Sequence, residues 1–133
     1  MNKGRHIFTE WMKDGIFDDG QSFYHNTFVR FSLLAVFILQ AASFIVLGFF
    51  VRSQQSIIIL HYNVYFGVDL VGAWGQIFMV PSIALVFVIT NTFLAQWFYN
   101  QKERVASYVL LLASILVSLG SVFACVSVAF INY

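Results

Sequence analysis

Long apolar runs alternate with short polar stretches along this chain. Three runs reach the ~20 apolar residues that an α-helix needs to cross a hydrocarbon core about 30 Å thick. They cover residues 31–51, 71–97 and 105–131. Backbone groups cannot stay unpaired in lipid, and the runs are too long for barrel strands. The pattern therefore predicts three transmembrane helices.

The segment before the first run, residues 1–30, has the pattern of a short interfacial helix. Its apolar residues fall on one stripe of a helix and its charged residues fall elsewhere, and the apolar ones are Ile7, Phe8, Trp11 and Met12. Such a helix lies in the plane of the membrane surface. The predicted fold is an all-α membrane protein, a single domain with an N-terminal interfacial amphipathic helix and three spans.

The two connections between the predicted spans differ in character. Residues 98–104 form a short polar loop, whereas residues 52–70 are too interrupted to span and too apolar for an ordinary solvated loop. The β-branched and aromatic content of the longer segment favours extended structure. We therefore expect an ordered outer loop that could form a short hairpin, with turn points at His61-Tyr62-Asn63 and at Gly67.

The outer loop is also the first candidate interaction surface. Its apolar side chains would be costly to leave in water, at about 25 cal/mol for each Å² exposed. We expect them to be buried against the helix ends, lipid headgroups or another subunit. The predicted contact residues are His61, Tyr62, Asn63, Tyr65, Phe66 and Asp69.

This loop carries a resemblance to other proteins. The run Leu60-His-Tyr-Asn-Val-Tyr-Phe-Gly-Val-Asp69 lies between the first span and a second span that contains Pro81. In that setting it resembles a group of small uncharacterised membrane proteins from candidate-phylum bacteria. The group often has proline where this chain has Ala73, so the turn into the second helix can differ. The resemblance implies the same architecture and implies no activity.

The third span carries the second candidate surface, two rows of small residues that recur every seven positions. Membrane helices associate by close packing, and small residues let their backbones approach. A seven-residue period indicates a left-handed crossing, whose partner can be internal or another chain. One row is Ala106, Ala113, Gly120 and Ser127, and the other is Ser107, Ser114 and Ser121.

The distribution of Lys and Arg predicts how the chain is oriented in the membrane. The chain is 60% apolar and 10% charged, and cytoplasmic flanks of membrane helices carry an excess of Lys and Arg. Arg52 alone lies on the side of the long loop. The basic residues of the other side are Lys3, Arg5, Lys13, Arg30, Lys102 and Arg104. We expect a multi-pass protein of the bacterial inner membrane, with its N-terminus cytoplasmic and its C-terminus outside.

The composition disfavours several kinds of chemistry. No clustered basic face suggests a nucleic-acid partner, and the single Cys125 cannot form an internal disulfide. The predicted spans contain no ionisable Asp, Glu, Lys, Arg or His, which a proton or ion path usually needs. We expect Gln40 and Asn91 to form interhelical hydrogen bonds instead.

The three histidines are candidate haem ligands. His6 and His25 should lie on the cytoplasmic side and His61 outside, so no two can clamp one haem within a chain. His61 and Asp69 could orient one another as a base and its partner, but no nucleophile or second carboxylate completes a site. We expect no catalytic residue, no metal site and no bound cofactor, and a loop-stabilising role for this pair.

Three function hypotheses follow from the sequence. The first is a non-catalytic integral membrane subunit with a structural or assembly role, whose partners are the lipid bilayer and other membrane subunits or copies of itself. The second is a small homo-oligomeric channel or transporter, lined by Gln40, Asn91 or the serine row. The third is an accessory redox subunit whose His61 reaches a cofactor held by a neighbour.

Overall fold

The computed structural model describes residues 22–51 and 57–133. Its regular elements are α1 (Thr27–Phe50), β1 (Ile58–Asn63), β2 (Gly67–Gly72), α2 (Met79–Asn100) and α3 (Arg104–Ile131), with short 3₁₀ helices at Phe23–His25 and Trp74–Phe78. Three helical segments in these ranges are long and apolar enough to cross a membrane. The predicted all-α membrane fold with an ordered loop is therefore confirmed. The predicted interfacial helix lies outside the described residues.

The first and second spans begin at positions that hydropathy alone does not give. α1 starts at Thr27 because the Asn26 side chain caps it, its Oδ1 accepting from the backbone N–H groups of Phe28 and Val29 at 3.0 and 3.3 Å. Val71 pairs with β1 instead of opening the second span. The segment that can span is Trp74–Asn100, and the third helix, Arg104–Ile131, differs from the predicted bounds by one residue.

The helix α3 lies at the centre of the bundle and packs against both α1 and α2, which touch one another much less. α1 and α3 run parallel: Asn26 donates to the Tyr108 hydroxyl at their N-terminal ends, and the rings of Phe50 and Tyr133 meet at their C-terminal ends. α2 runs antiparallel to both.

The antiparallel turn between α2 and α3 is very tight. Lys102 adopts a left-handed backbone conformation with φ 64°. The amides of Lys102 and Glu103 donate to the carbonyls of Tyr99 and Phe98, at 3.1 and 3.0 Å. These two bonds form a Schellman motif, in which glycine is the usual residue at the left-handed position. The turn places Arg104 over the Tyr99 ring, 5.0 Å from its centroid.

The outer loop forms an antiparallel hairpin, as the sequence allowed, but its turn lies at residues 64–66. His61, Tyr62 and Asn63 belong to β1, so the predicted turn point there is wrong. Gly67 supplies the positive φ of 78° that closes a three-residue turn. The Asn63 Oδ1 accepts from the amide of Tyr65 at 2.9 Å and stabilises the turn locally.

The base of the hairpin is fastened to the end of α3. The side-chain amide of Asn132 pairs with Ile59 in both directions, accepting from its N–H at 2.9 Å and donating to its carbonyl at 2.7 Å. Ile58 is fully buried, in one cluster with Ile77 and Cys125. Asn132 thus satisfies the outer edge of β1 as a neighbouring strand would.

We predict that Asn132→Ala loosens the hairpin without unfolding the helices. Ile59 would lose both partners, which costs about 1–3 kcal/mol for partly buried backbone groups. Amide hydrogen exchange of β1 and β2 should accelerate. Asn100→Ala, at the exposed end of α2, is the control and should leave the hairpin protected. Equal hairpin protection in both variants would contradict the role of Asn132.

Candidate interaction surfaces

The two small-residue rows of α3 face different surroundings. Ser107, Ser114 and Ser121 are buried inside the bundle. Ala106 and Ala113 are partly buried, whereas Gly120 and Ser127 are exposed. A rotation of about 100° per residue separates adjacent positions of a helix, so rows one residue apart necessarily diverge. One row therefore packs within the chain and the other lies at its surface.

The inner face of α3 consists mostly of small side chains. Ser107, Ser114 and Ser118 are fully buried, as are Leu111 and Cys125. On the facing side of α1, Ser43 is buried, and the hydroxyls of Ser43 and Ser121 interact with the Cys125 thiol. Side chains of this size let α3 approach both neighbours closely, which is the main source of helix association in lipid.

Gln40 provides a buried polar link between α1 and α2. Its Nε2 donates to the backbone carbonyl of Pro81 at 2.6 Å, and its side chain is buried. Pro81 lies in the first turn of α2, where an absent N–H costs little. Gln40 is thus engaged inside a single chain. A pore between copies could not be lined by Gln40 in this arrangement.

The row that contains Gly120 borders an open groove between α2 and α3. Val80, Ile83 and Phe87 form one wall, and Val117 and Gly120 form the other. A Cβ placed on Gly120 would meet nothing within 4 Å. Gly120 therefore makes no close approach to the part of the chain that the structure describes, and its lack of a side chain leaves a depression on the exposed surface of the bundle.

The predicted contact residues of the outer loop all lie on the hairpin, at or near its tip. Val64, Tyr65 and Phe66 are 85, 91 and 85% exposed. Tyr62 is about half-exposed, and Asn63 is partly buried. The helix ends cover Ile58 at the base but not the tip. Of the three surroundings predicted for the apolar side chains of the loop, the helix ends do not cover the tip. Lipid headgroups and another subunit remain.

His61 and Asp69 face each other across the hairpin. The His61 Nδ1 lies 2.7 Å from the Asp69 Oδ1, and both side chains are substantially exposed. The described residues hold no group of three or more potential metal ligands. His25 lies at the opposite end of α1, a helix about 36 Å long at 1.5 Å per residue. The contact between His61 and Asp69 joins β1 to β2.

Sequence reasoning missed two residues that matter here, Asn132 and Val64, and it noted Ser118 only as a neighbour of the two rows. Asn132 follows the last span and gave no signal beyond its polarity, since its partner lies far away in sequence. Ser118 adjoins the serine row on the side away from Gly120, and the structure places it at the centre of the buried face. Val64 was overlooked at the hairpin tip because the turn was expected elsewhere.

No protein-family model, curated protein or solved structure matches this chain.

Proposed function

We propose that this protein is a non-catalytic membrane subunit that associates laterally with another membrane helix, supplied by a second copy or by a larger complex. The observation that carries the proposal is the groove at Gly120. The serine row of α3 is already used inside the chain, whereas the other row, partly buried at Ala106 and Ala113, is exposed at Gly120 and Ser127. A facing helix could approach its backbone closely there.

The arrangement of polar groups supports an assembly role over the other two hypotheses. Gln40 and the serine row lie in internal contacts, which leaves them unavailable to line a pore between copies. His61 is paired with Asp69 on an exposed hairpin. No observation in the described residues favours transport or electron transfer.

The proposed location is the bacterial inner membrane, with the hairpin outside. Within the described residues, Arg30, Lys102 and Arg104 all belong to the end of the bundle away from the hairpin. The hairpin and its flanks, residues 57–79, contain no Lys or Arg. This asymmetry supports a cytoplasmic N-terminus under the positive-inside rule.

Gly120→Leu should weaken association while the chain still inserts and folds. The added side chain would enter open space within its own chain, but it would hold a neighbouring backbone away and remove packing contacts. Crosslinking or energy transfer between labelled chains, together with co-purification in mild detergent, measures the loss.

Two matched variants test the surface chosen. Gly48→Leu adds the same side chain at an exposed glycine of α1 that also has open space around it. Leu112→Ala changes the exposed surface of α3 about 80° around the helix from Gly120. Both should leave association intact. The proposal fails if Gly120→Leu has no effect, or if either control weakens association as much.

Topology gives a second test. In a Cys125→Ser background, a cysteine at Tyr133, which is 92% exposed, should react with an impermeant thiol reagent in intact cells. A cysteine at Gln101, in the turn between α2 and α3, should react only after lysis. Tyr133 is preferable to Asn132, whose side chain holds the hairpin. The reverse labelling pattern would refute the orientation.

A further inference from the structure

The hairpin has a composition unsuited to water. Between Ile57 and Gly72, polar side chains are confined to His61, Asn63 and Asp69 and the hydroxyls of Tyr62 and Tyr65. Large apolar side chains are exposed along both strands and at the tip, among them Val68 and Leu70. An isolated two-stranded hairpin is marginal in water. The base of this hairpin is fastened to α3 but its tip is not, so an apolar surrounding would stabilise the tip.

Three polar side chains of the hairpin, those of His61, Asn63 and Asp69, have hydrogen-bond partners within the hairpin. His61 and Asp69, the two residues of the segment able to carry charge near neutral pH, pair at 2.7 Å. The Asn63 Oδ1 accepts from the Tyr65 amide. A polar side chain that enters a medium of low polarity needs a hydrogen-bond partner from its own chain, because an unpaired charge or amide costs free energy there.

The internal pairing of these polar groups favours a lipid bilayer over a protein as the partner of the hairpin. A specific protein partner usually recognises a surface partly through polar groups left open to it, which fix register and orientation. The tip offers two apolar side chains and a phenol, and the His61 and Asp69 side chains on the strands behind it bond to each other. Aromatic residues with one polar atom, such as Tyr65, are enriched where a bilayer meets water.

We propose that the tip of the hairpin, residues 64–66, is immersed in the headgroup region and outermost acyl region of the adjacent leaflet, so that the bilayer itself is the partner of this surface. The proposal goes beyond the assembly role and does not depend on it. It assigns a lipid contact to Tyr65 and Phe66, and it gives the His61–Asp69 pair the role of keeping two polar side chains bonded to each other near the lipid.

The length of the strands determines how the hairpin would have to lie. Five steps from Ile58 to Asn63 cover about 17 Å at 3.3–3.4 Å per residue, whereas the headgroup region of one leaflet is only about 5–8 Å thick. An upright hairpin would carry its tip out into water, so immersion of the tip requires the hairpin to lean along the membrane surface. The pairing register shifts on either side of His61. Bulges of this kind bend a strand and increase its twist.

Depth-dependent quenching tests the proposal on the full chain. A cysteine at Tyr65 in a Cys125→Ser background would carry an environment-sensitive fluorophore, in vesicles of phosphatidylcholine and phosphatidylglycerol. Nitroxide-labelled lipids should quench it severalfold more than a fluorophore at Gln101, and aqueous iodide should quench it severalfold less. Raising the lipid-to-protein ratio should change neither result.

Three other outcomes would overturn the proposal. Equal iodide quenching at both positions would place the tip in water, either permanently or until a protein partner absent from the vesicles covers it. Shielding from iodide that disappears on dilution into excess lipid would identify a second copy as the partner. Shielding from iodide without lipid quenching would place the tip against its own chain.

A charge at the tip provides an independent check. With the fluorophore at Phe66, Val64→Asp should restore iodide quenching because an unpaired carboxylate is drawn to water. Val64→Leu, the matched apolar change, should not. Circular dichroism confirms that the helices persist in both variants. Identical lipid quenching in the two variants would contradict a lipid-held tip.

Discussion

The structure depends on the close approach of α3 to two helices at once. Lipid is as apolar as leucine, so burial of apolar side chains gives membrane helices little reason to associate, and packing must supply it. α3 meets this constraint with an inner face of small side chains, from Ser107 to Ala129. The tight turn at Lys102 brings α2 against it, and the Asn26–Tyr108 bond aligns α1 alongside.

Both candidate surfaces follow from this central position. The C-terminal end of α3 carries Asn132, which holds the hairpin base, so the placement of the exposed loop depends on where α3 ends. The side of α3 that neither neighbour covers carries Gly120 and the groove beside α2. A helix at the edge of the bundle could supply one of these features, but α3 supplies both.

Small size, more than hydrogen bonding, explains the serines of the inner face. The Ser114 hydroxyl donates to the carbonyl of Leu110 in its own helix. Among the described residues, the buried hydroxyl of Ser118 has no hydrogen-bond partner. Neither group joins two helices. By contrast, Gln40 does so through a single short bond to Pro81.

Sequence reasoning recovered the parts of this architecture that depend on local composition. Hydropathy located three helices, and β-branched residues around Ile58 indicated extended structure. It failed where contacts between distant residues determine the structure. Val71 is apolar enough to begin a span, but its pairing with Ile59 places it in a strand. The seven-residue rows were visible, yet which row faces inward depends on the rotation of α3 between its neighbours.

The most direct test of the central claim compares two substitutions at Ser118, which is fully buried where α3 packs. The free energy of unfolding would be measured in mixed micelles or bicelles. Ser118→Ala should change it by less than about 0.6 kcal/mol, the average value of an interhelical hydrogen bond in a membrane protein. Ser118→Leu should lower it by about 1–3 kcal/mol through overpacking. If Ser118→Ala is as damaging as Ser118→Leu, the hydroxyl and not the size of the side chain holds the bundle together, and the account is wrong.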